Sequence, residues 1–191
     1  VRDTPISEQA IIGAAMGAAM NGLRPIAELM FSDFFAVCWD MVANQIAKAR
    51  YMTNGQVALP IVIRTANGGG ARFGAQHSQS VETWMMAIPG LKVVYPSNPY
   101  DMKGLMIACI REDNPTVMVK HKGLLGMSQP VPVEPYELPL GVARVLRQEQ
   151  APQVGQLREQ RSAGIRRDVP GGACQAGASC CRRQYSCRRS T

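Results

Sequence analysis

The alternation of short apolar strands with helical segments constrains the fold of this chain more than any other feature. Four segments are predicted as strands, at residues 24–30, 60–65, 91–95 and 116–119. The stretches between them hold apolar residues at helical spacing or carry helix-capping residues. Strands that alternate with helices in this way form a parallel sheet with helices on both faces. We therefore predict an α/β fold, with ligands bound at the carboxyl ends of the strands.

Capping residues predict where the helices begin and end. Thr4 is predicted to cap the first helix, which Gly22 closes as a C′ glycine. Asp33 is predicted to cap a second helix that runs to about Arg50, and Asn98 opens a third. The first helix also has a face of small residues that we expect to let another backbone come close. These residues are Ala10, Gly13, Ala14, Gly17 and Ala18.

A glycine-rich loop at residues 67–80 follows the second predicted strand. We call it the glycine loop; it has glycines at three successive positions and carries His77. Phe73 stands where a dinucleotide-binding fingerprint needs glycine, and Ala75-Gln76 replaces the Lys-Ser/Thr of a phosphate-binding loop. Histidine is the side chain best suited to proton transfer near neutral pH. The loop is therefore a candidate catalytic element, and a flexible connection is the alternative.

The positive charge of the chain is concentrated in its last forty residues. After residue 150 the sequence has eight arginines against Glu159 and Asp168, although the net charge of the whole chain is only +7. This segment has no lysine and no sustained periodicity. We predict a disordered basic tail at residues 148–191, after a folded domain at residues 1–147. Nucleic-acid binding by the tail is a weak hypothesis, because Tyr185 is its only aromatic residue.

The cysteine spacing argues against a zinc-binding protein, and the hydropathy argues against a membrane-spanning one. Cys38 and Cys109 lie in apolar segments typical of a reduced core. The remaining cysteines have no Cys-x-x-Cys spacing, which argues against zinc. They are Cys174, Cys180, Cys181 and Cys187. The chain has no run of eighteen apolar residues, so no membrane span is predicted.

Six motifs, in order and spacing, resemble one enzyme family. The resemblance is to the beta subunit of the thiamine-diphosphate-dependent first component of 2-oxo acid (pyruvate or branched-chain) and acetoin dehydrogenase complexes. It covers roughly residues 1–147. The motifs are Asp3-Thr4-Pro5-Ile6-Ser7-Glu8, Gly22-Leu23-Arg24-Pro25, Phe31-Ser32-Asp33-Phe34, Gln76-His77-Ser78-Gln79, Pro89-Gly90-Leu91-Lys92-Val93-Val94 and Arg111-Glu112-Asp113-Asn114-Pro115.

The resemblance implies an incomplete transketolase-like pyrimidine-binding domain. In the family a first helix and strand precede the segment that matches residue 1, and a second α/β domain follows. The absence of that strand predicts a sheet with an unpaired centre or edge. The tail at residues 148–191 resembles nothing in the family and has the composition of a frame-shifted reading of GC-rich coding sequence.

The resemblance also implies an activity, cofactors and partners. The activity is oxidative decarboxylation or cleavage with acyl transfer to a lipoyl group, in the bacterial cytoplasm or the mitochondrial matrix. Thiamine diphosphate is shared with an alpha subunit that supplies the magnesium site, in an alpha2beta2 heterotetramer bound to a lipoyl acyltransferase core. The chain alone is expected to be inactive, and a catalytically silent remnant of such a subunit is the alternative. Neither nucleic acid nor membrane is an expected partner.

Three residues match positions around the cofactor in this family. Glu8 matches the glutamate that shares a proton with the aminopyrimidine ring; a helix-capping glutamate is its alternative. Phe34 matches the aromatic residue against that ring, and a core phenylalanine is its alternative, as expected for Phe35. His77 matches the histidine at the active-site mouth, where it transfers protons or stabilises an intermediate. His121 is predicted to be a solvated surface residue.

A structural potassium ion is often found in this family. The matching positions, where main-chain carbonyls and a carboxylate supply oxygen ligands, are Ile61, Cys109, Ile110, Glu112 and Asn114. Glu112 stands where an aspartate is usual, which argues against direct coordination by its carboxylate.

Overall fold

The computed structural model describes residues 1–142, which alternate between helices and parallel strands. All four predicted strands are confirmed, and each strand end lies within two residues of its predicted position. The elements are α1 (Glu8–Met20), β1 (Ile26–Leu29), α2 (Phe35–Asp40), α3 (Ala47–Met52), β2 (Val62–Asn67), α4 (Glu82–Met86), β3 (Lys92–Val94), α5 (Pro99–Arg111) and β4 (Thr116–His121). The α/β fold predicted from the alternation is therefore confirmed.

The four strands form one parallel sheet in the order β1-β2-β4-β3. Both central strands are paired on each side, so the sheet has no unpaired centre. Within residues 1–142, β1 is an edge strand whose Ile26 is 48% exposed. Glu28 on β1 accepts hydrogen bonds from Arg64 on β2 and from Lys120 on β4, which ties three strands together on one face.

Helices cover both faces of this sheet, as predicted. On one face Ile12 of α1 and Phe35 of α2 are fully buried with Ile63 and Val117 of the central strands. Phe35 is thus confirmed as a core residue. On the other face α5 covers Val62 and its neighbours. The residues of α5 that pack against this face are Met102, Leu105, Met106, Cys109 and Ile110.

The cap predicted for α1 is wrong at one end and right at the other. The helix begins at Glu8 rather than after Thr4, so Glu8 is its first residue and cannot complete a capping box with Thr4. At its end, Gly22 has φ +87°, and the Gly22 and Leu23 N–H groups donate to Ala19 O and Ala18 O. This pair of bonds is the Schellman arrangement that a C′ glycine permits. The small-residue face, by contrast, has no close backbone neighbour at Gly17 within residues 1–142.

The second predicted helix is broken into successive turns. A short 3-10 turn at Ser32–Phe34 leads into α2, a π-helical segment at Met41–Ile46 follows, and α3 completes the run. Asp33 does not cap this helix, because its buried side chain accepts a hydrogen bond from Gln79 N instead. Asn98 caps α5 as predicted, since its side chain accepts from Asp101 N.

The predicted domain boundary and tail lie outside the described residues. Residues 127–139, which include four prolines, contain neither helix nor strand. Gly141 forms a turn with φ +78°. No helix within residues 1–142 is long and apolar enough to cross a bilayer.

Candidate active site

The carboxyl ends of β1 and β2 bring an aromatic cluster together with His77. The chain leaves β1 through Phe31 and Phe34, and it leaves β2 into the glycine loop. The His77 ring lies 4.6 Å from the Phe31 ring and 5.3 Å from the Phe34 ring, edge-to-face in both cases. Phe73 in the loop packs edge-to-face on Phe31 at 5.9 Å. Edge-to-face packing favours one ring orientation, so these phenylalanines orient the histidine.

Glu8 lies at the start of α1 beside the helix that follows Phe34. Burial raises the pKa of the Cys38 thiol to about 12, and the nearby Glu8 carboxylate adds to this increase. The Cys38 thiol donates to Phe34 O at 3.7 Å, so Glu8, Cys38 and Phe34 belong to one neighbourhood. The Glu8 side chain is half-buried, and its carboxylate makes no hydrogen bond or ion pair with residues 1–142. It is thus available to a ligand.

The glycine loop is closed at its base by two buried charged residues that sequence reasoning missed. Gly68 N donates to Gln79 O at 3.0 Å, which joins the two ends of the loop. Asp33, only 6% exposed, accepts from Gln79 N at 3.1 Å. Lys122, 9% exposed, donates to Gly68 O at 3.1 Å and to His77 O at 2.5 Å. No local sequence pattern identifies such long-range contacts.

A second polar network lies where β2 and β3 end. The Asn67 amide nitrogen donates to a Glu82 carboxylate oxygen, and the Tyr95 hydroxyl donates to the Asn67 amide oxygen, each at 2.6 Å. Burial, and next the Glu82 charge, raise the pKa of Tyr95. His121 stacks on Tyr95, and its Nδ1 accepts from Gly123 N at 3.1 Å. His121 is half-exposed, so it remains at the surface as predicted, but it also takes part in this network.

The five positions predicted for potassium do cluster, but cationic side chains already hold the oxygens of three of them. Arg24 donates to Ile110 O and Glu112 O, each at 3.1 Å. Lys92 donates to the Glu112 carboxylate at 2.5 Å, and Arg50 donates to the Asn114 side-chain oxygen at 2.7 Å. Hydrogen bonding by Lys92 is also the main reason that the pKa of Glu112 is lowered.

The remaining potassium positions are equally engaged. Ile61 O accepts from Thr116 N at 2.9 Å, and the Cys109 carbonyl accepts from Glu112 N at 3.3 Å. A potassium ion would have to displace the guanidinium and ammonium groups that already hold the oxygens of Ile110, Glu112 and Asn114. The donor set therefore does not fit a potassium ion in this arrangement.

Comparison with known proteins assigns the fold to a family. The family model described as "Transketolase, pyrimidine binding domain" matches residues 1–128. The chain belongs to this family. The transketolase-like pyrimidine-binding domain predicted from the six motifs is thus confirmed, and the glycine loop and all four strands lie inside the matched segment.

Curated relatives of this pyrimidine-binding domain are beta subunits. The chain is 52% identical over 145 residues to the beta subunit of acetoin:2,6-dichlorophenolindophenol oxidoreductase from Cupriavidus necator, covering 76% of this chain and 43% of that protein. It is 44% identical over 149 residues, covering 78% of this chain and 46% of each relative, to two others. These are the pyruvate dehydrogenase E1 component subunit beta of Acholeplasma laidlawii and the 2-oxoisovalerate dehydrogenase subunit beta of Bacillus subtilis.

These identities confirm the resemblance to beta subunits, and the coverage shows that it extends over only part of such a subunit. The chain spans less than half the length of these curated relatives, between 43% and 46%. Among solved structures, a split gene transketolase, described as an inactive beta4 tetramer, matches with a TM-score of 0.50 and 21% identity. That match covers 61% of this chain and 35% of the other, and it supports the fold alone.

Proposed function

We propose that this pyrimidine-binding domain is part of the beta subunit of a thiamine-diphosphate-dependent 2-oxo acid or acetoin dehydrogenase. The observation that carries the proposal is the juxtaposition of three side chains in this fold. An unpaired carboxylate, Glu8, lies near the Cys38 thiol, which donates to Phe34 O, and the Phe34 ring packs against His77 at the carboxyl edge of the sheet. The reaction is oxidative decarboxylation or cleavage, with acyl transfer to a lipoyl group.

The described residues fit one half of thiamine diphosphate, the aminopyrimidine. When bound, the cofactor would supply an acidic thiazolium carbon whose deprotonated form is a nucleophile for the substrate carbonyl. Glu8 and Phe34 are the residues that would hold the aminopyrimidine ring. Within residues 1–142 there is no cluster of three metal-ligating side chains, and the glycine loop lacks a phosphate-binding signature. We assign the diphosphate and its magnesium ion to an alpha subunit, which completes the site.

Glu8 is proposed to exchange a proton with the aminopyrimidine ring nitrogen. A carboxyl group next to that nitrogen favours the protonated ring when it donates or shares its proton, because the resulting carboxylate pairs with the charged ring. The position suits this role because the carboxylate has no partner among residues 1–142 and lies at the amino terminus of α1. There the N–H groups of the first helical turn stabilise its negative charge in the absence of ligand.

Phe34 and His77 are proposed to have separate roles in this site, one in binding the cofactor and one in proton transfer. Contact between Phe34 and the aminopyrimidine contributes about 0.5–1.5 kcal/mol beyond simple burial. His77 is held by Phe31 and Phe34 at the loop, half-exposed, so its ring nitrogens are accessible from the sheet edge. From this position His77 donates or accepts the proton that moves as the acyl group leaves for the lipoyl arm.

Replacement of Glu8 by glutamine in a complex reconstituted with an alpha subunit tests this proposal. Glutamine preserves the shape but cannot exchange a proton, so hydrogen–deuterium exchange at the thiazolium carbon should slow by about 10²–10⁴-fold. Glu134→Gln is the matched control, since Glu134 is exposed and distant in sequence. An unchanged exchange rate in Glu8→Gln would remove Glu8 from the mechanism. A correctly assembled wild-type complex without activity would favour the silent remnant.

A further inference from the structure

The ammonium group of Lys122 lies directly beneath the loop that carries His77. Lys122 follows β4, is 9% exposed, and donates to Gly68 O at 3.1 Å and to His77 O at 2.5 Å. These carbonyls belong to the first residue after β2 and to the histidine itself. One side chain therefore connects the end of two adjacent central strands with the main chain of His77.

The same ammonium group also faces the ring that orients His77. Lys122 Nζ lies 5.1 Å from the centroid of Phe31, within the range of a cation–π interaction. Phe31 in turn packs edge-to-face on His77 at 4.6 Å. Lys122 thus contacts both the backbone of His77 and the main aromatic neighbour of its imidazole.

Burial of the Lys122 ammonium group costs free energy, which favours a functional role for its contacts. A buried ammonium loses its hydration, and hydrogen bonds to neutral carbonyls compensate only part of that loss. None of the five ion pairs within residues 1–142 involves Lys122. A buried apolar side chain would give similar packing without this cost, but it could not hold two carbonyl oxygens at the base of the loop.

We propose that Lys122 is a positioning residue that fixes the His77 imidazole for proton transfer. The inference rests on the function proposed above for His77. Lys122 itself does not touch the reacting atoms; it acts through the His77 carbonyl and the Phe31 ring. Asp33 holds the part of the loop just after His77, because its carboxylate accepts from Gln79 N. Lys122 and Asp33 thus fix this end of the glycine loop from two different parts of the fold.

The first experiment measures hydrogen exchange in the full chain, independently of activity. Lys122→Met keeps length and apolar volume but removes the donors, and amides in residues 68–79 should exchange at least about tenfold faster. Lys103→Met is the matched control. Lys103 also donates to main-chain carbonyls, at 2.9 Å to Val133 O and 3.0 Å to Glu134 O, and lies 5.2 Å from the Tyr136 ring. Equal exchange in the loop of wild type and Lys122→Met would overturn the proposal.

The second experiment is a double-mutant cycle in the reconstituted complex. Lys122→Met should lower kcat by about 10–100-fold, as expected for a misplaced catalytic group, with little change in the KM for thiamine diphosphate. Lys122→Arg should restore part of the loss, because it keeps a donor and a positive charge. In the His77→Ala background, Lys122→Met should have no further effect on kcat.

The outcomes separate this inference from the function on which it rests. If the two substitutions multiply in their effects on kcat, Lys122 does not act through His77, and the inference is wrong. If His77→Ala leaves kcat unchanged while Lys122→Met accelerates loop exchange, the proposed role of His77 fails instead. If Lys122→Met fails to fold, Lys122→Arg and Lys122→Gln take its place in both experiments. An intact loop with unchanged kinetics in Lys122→Gln would then contradict the proposal.

Discussion

Substitution of Gly68 by alanine tests whether the base of the glycine loop is as tightly built as the structure indicates. Gly68 has φ +92°, and a Cβ atom there would lie 2.5 Å from His121 Nε2 and 2.7 Å from His121 Cδ2. The His121 ring cannot move aside freely, because it stacks on Tyr95 and its Nδ1 accepts from Gly123 N. Alanine at this position therefore meets both backbone strain and a steric clash.

The expected loss of stability has two separable parts. A left-handed backbone costs a residue with a Cβ about 1–2 kcal/mol. Overpacking against a fixed neighbour adds about 1–3 kcal/mol. Gly68→Ala should therefore lower the free energy of unfolding by about 2–5 kcal/mol, which is a large share of the stability of an ordinary domain.

Gly70 provides the matched control within the same loop. It has φ +90°, but a Cβ atom there would meet nothing within 4 Å. Gly70→Ala should thus lose only the backbone part, about 1–2 kcal/mol. Urea unfolding monitored by circular dichroism measures both. In the His121→Ala background, the additional cost of Gly68→Ala should fall to the Gly70→Ala value. Equal losses for the two alanine variants in the wild-type background would refute the reasoning.

Two further predictions concern ionisable groups. With a pKa of about 12, the Cys38 thiol should resist iodoacetamide at pH 8 in the folded chain and react on unfolding. Peptide mapping by mass spectrometry measures this labelling. Rapid labelling of the native chain would contradict the burial of Cys38. Lys92 lowers the pKa of Glu112 below its ordinary value of 4.5, so this pair stabilises the fold above that pH and the contribution disappears as pH falls through the lowered pKa. Lys92→Met should cost at most about 1 kcal/mol at pH 7, since both side chains are partly exposed, and this cost should shrink as the pH falls through the lowered pKa of Glu112; a cost independent of pH would exclude the ion pair as its cause.

The sheet and most of its elements could be predicted from the sequence because their signals are local. Apolar runs at residues 60–65 and 116–119 mark strands, and Asn98 followed by Pro99 marks a helix start. The caps predicted at Thr4 and at Asp33 were both wrong, and the structure gives a reason for Asp33. Capping residues predict helix starts only when no tertiary contact competes for the side chain, and Asp33 is taken by Gln79 N across the sheet edge.

The candidate site divides in the same way between what a sequence pattern reveals and what it conceals. Glu8, Phe34 and His77 stand in motifs and are half-exposed, so both local chemistry and resemblance point to them. Lys122 and His121 sit in a Lys-His-Lys run whose polarity indicates a solvated surface. This run lies at the carboxyl end of β4, next to the carboxyl end of β2. There Lys122 contacts Gly68, which lies 54 residues earlier in the chain.

Buried polar groups beneath a site are therefore the part that a single sequence conceals best. A half-exposed residue that contacts a ligand can be replaced with little effect on folding, so its loss is recognised as a loss of activity. Lys122 and Asp33 form hydrogen bonds with main-chain groups of the loop, so their removal should weaken both the fold and the loop. Stability measurements alone would class them with the core. Only the coupling between Lys122 and His77, measured as non-additivity in kcat, distinguishes a residue that positions the catalytic histidine from one that merely packs.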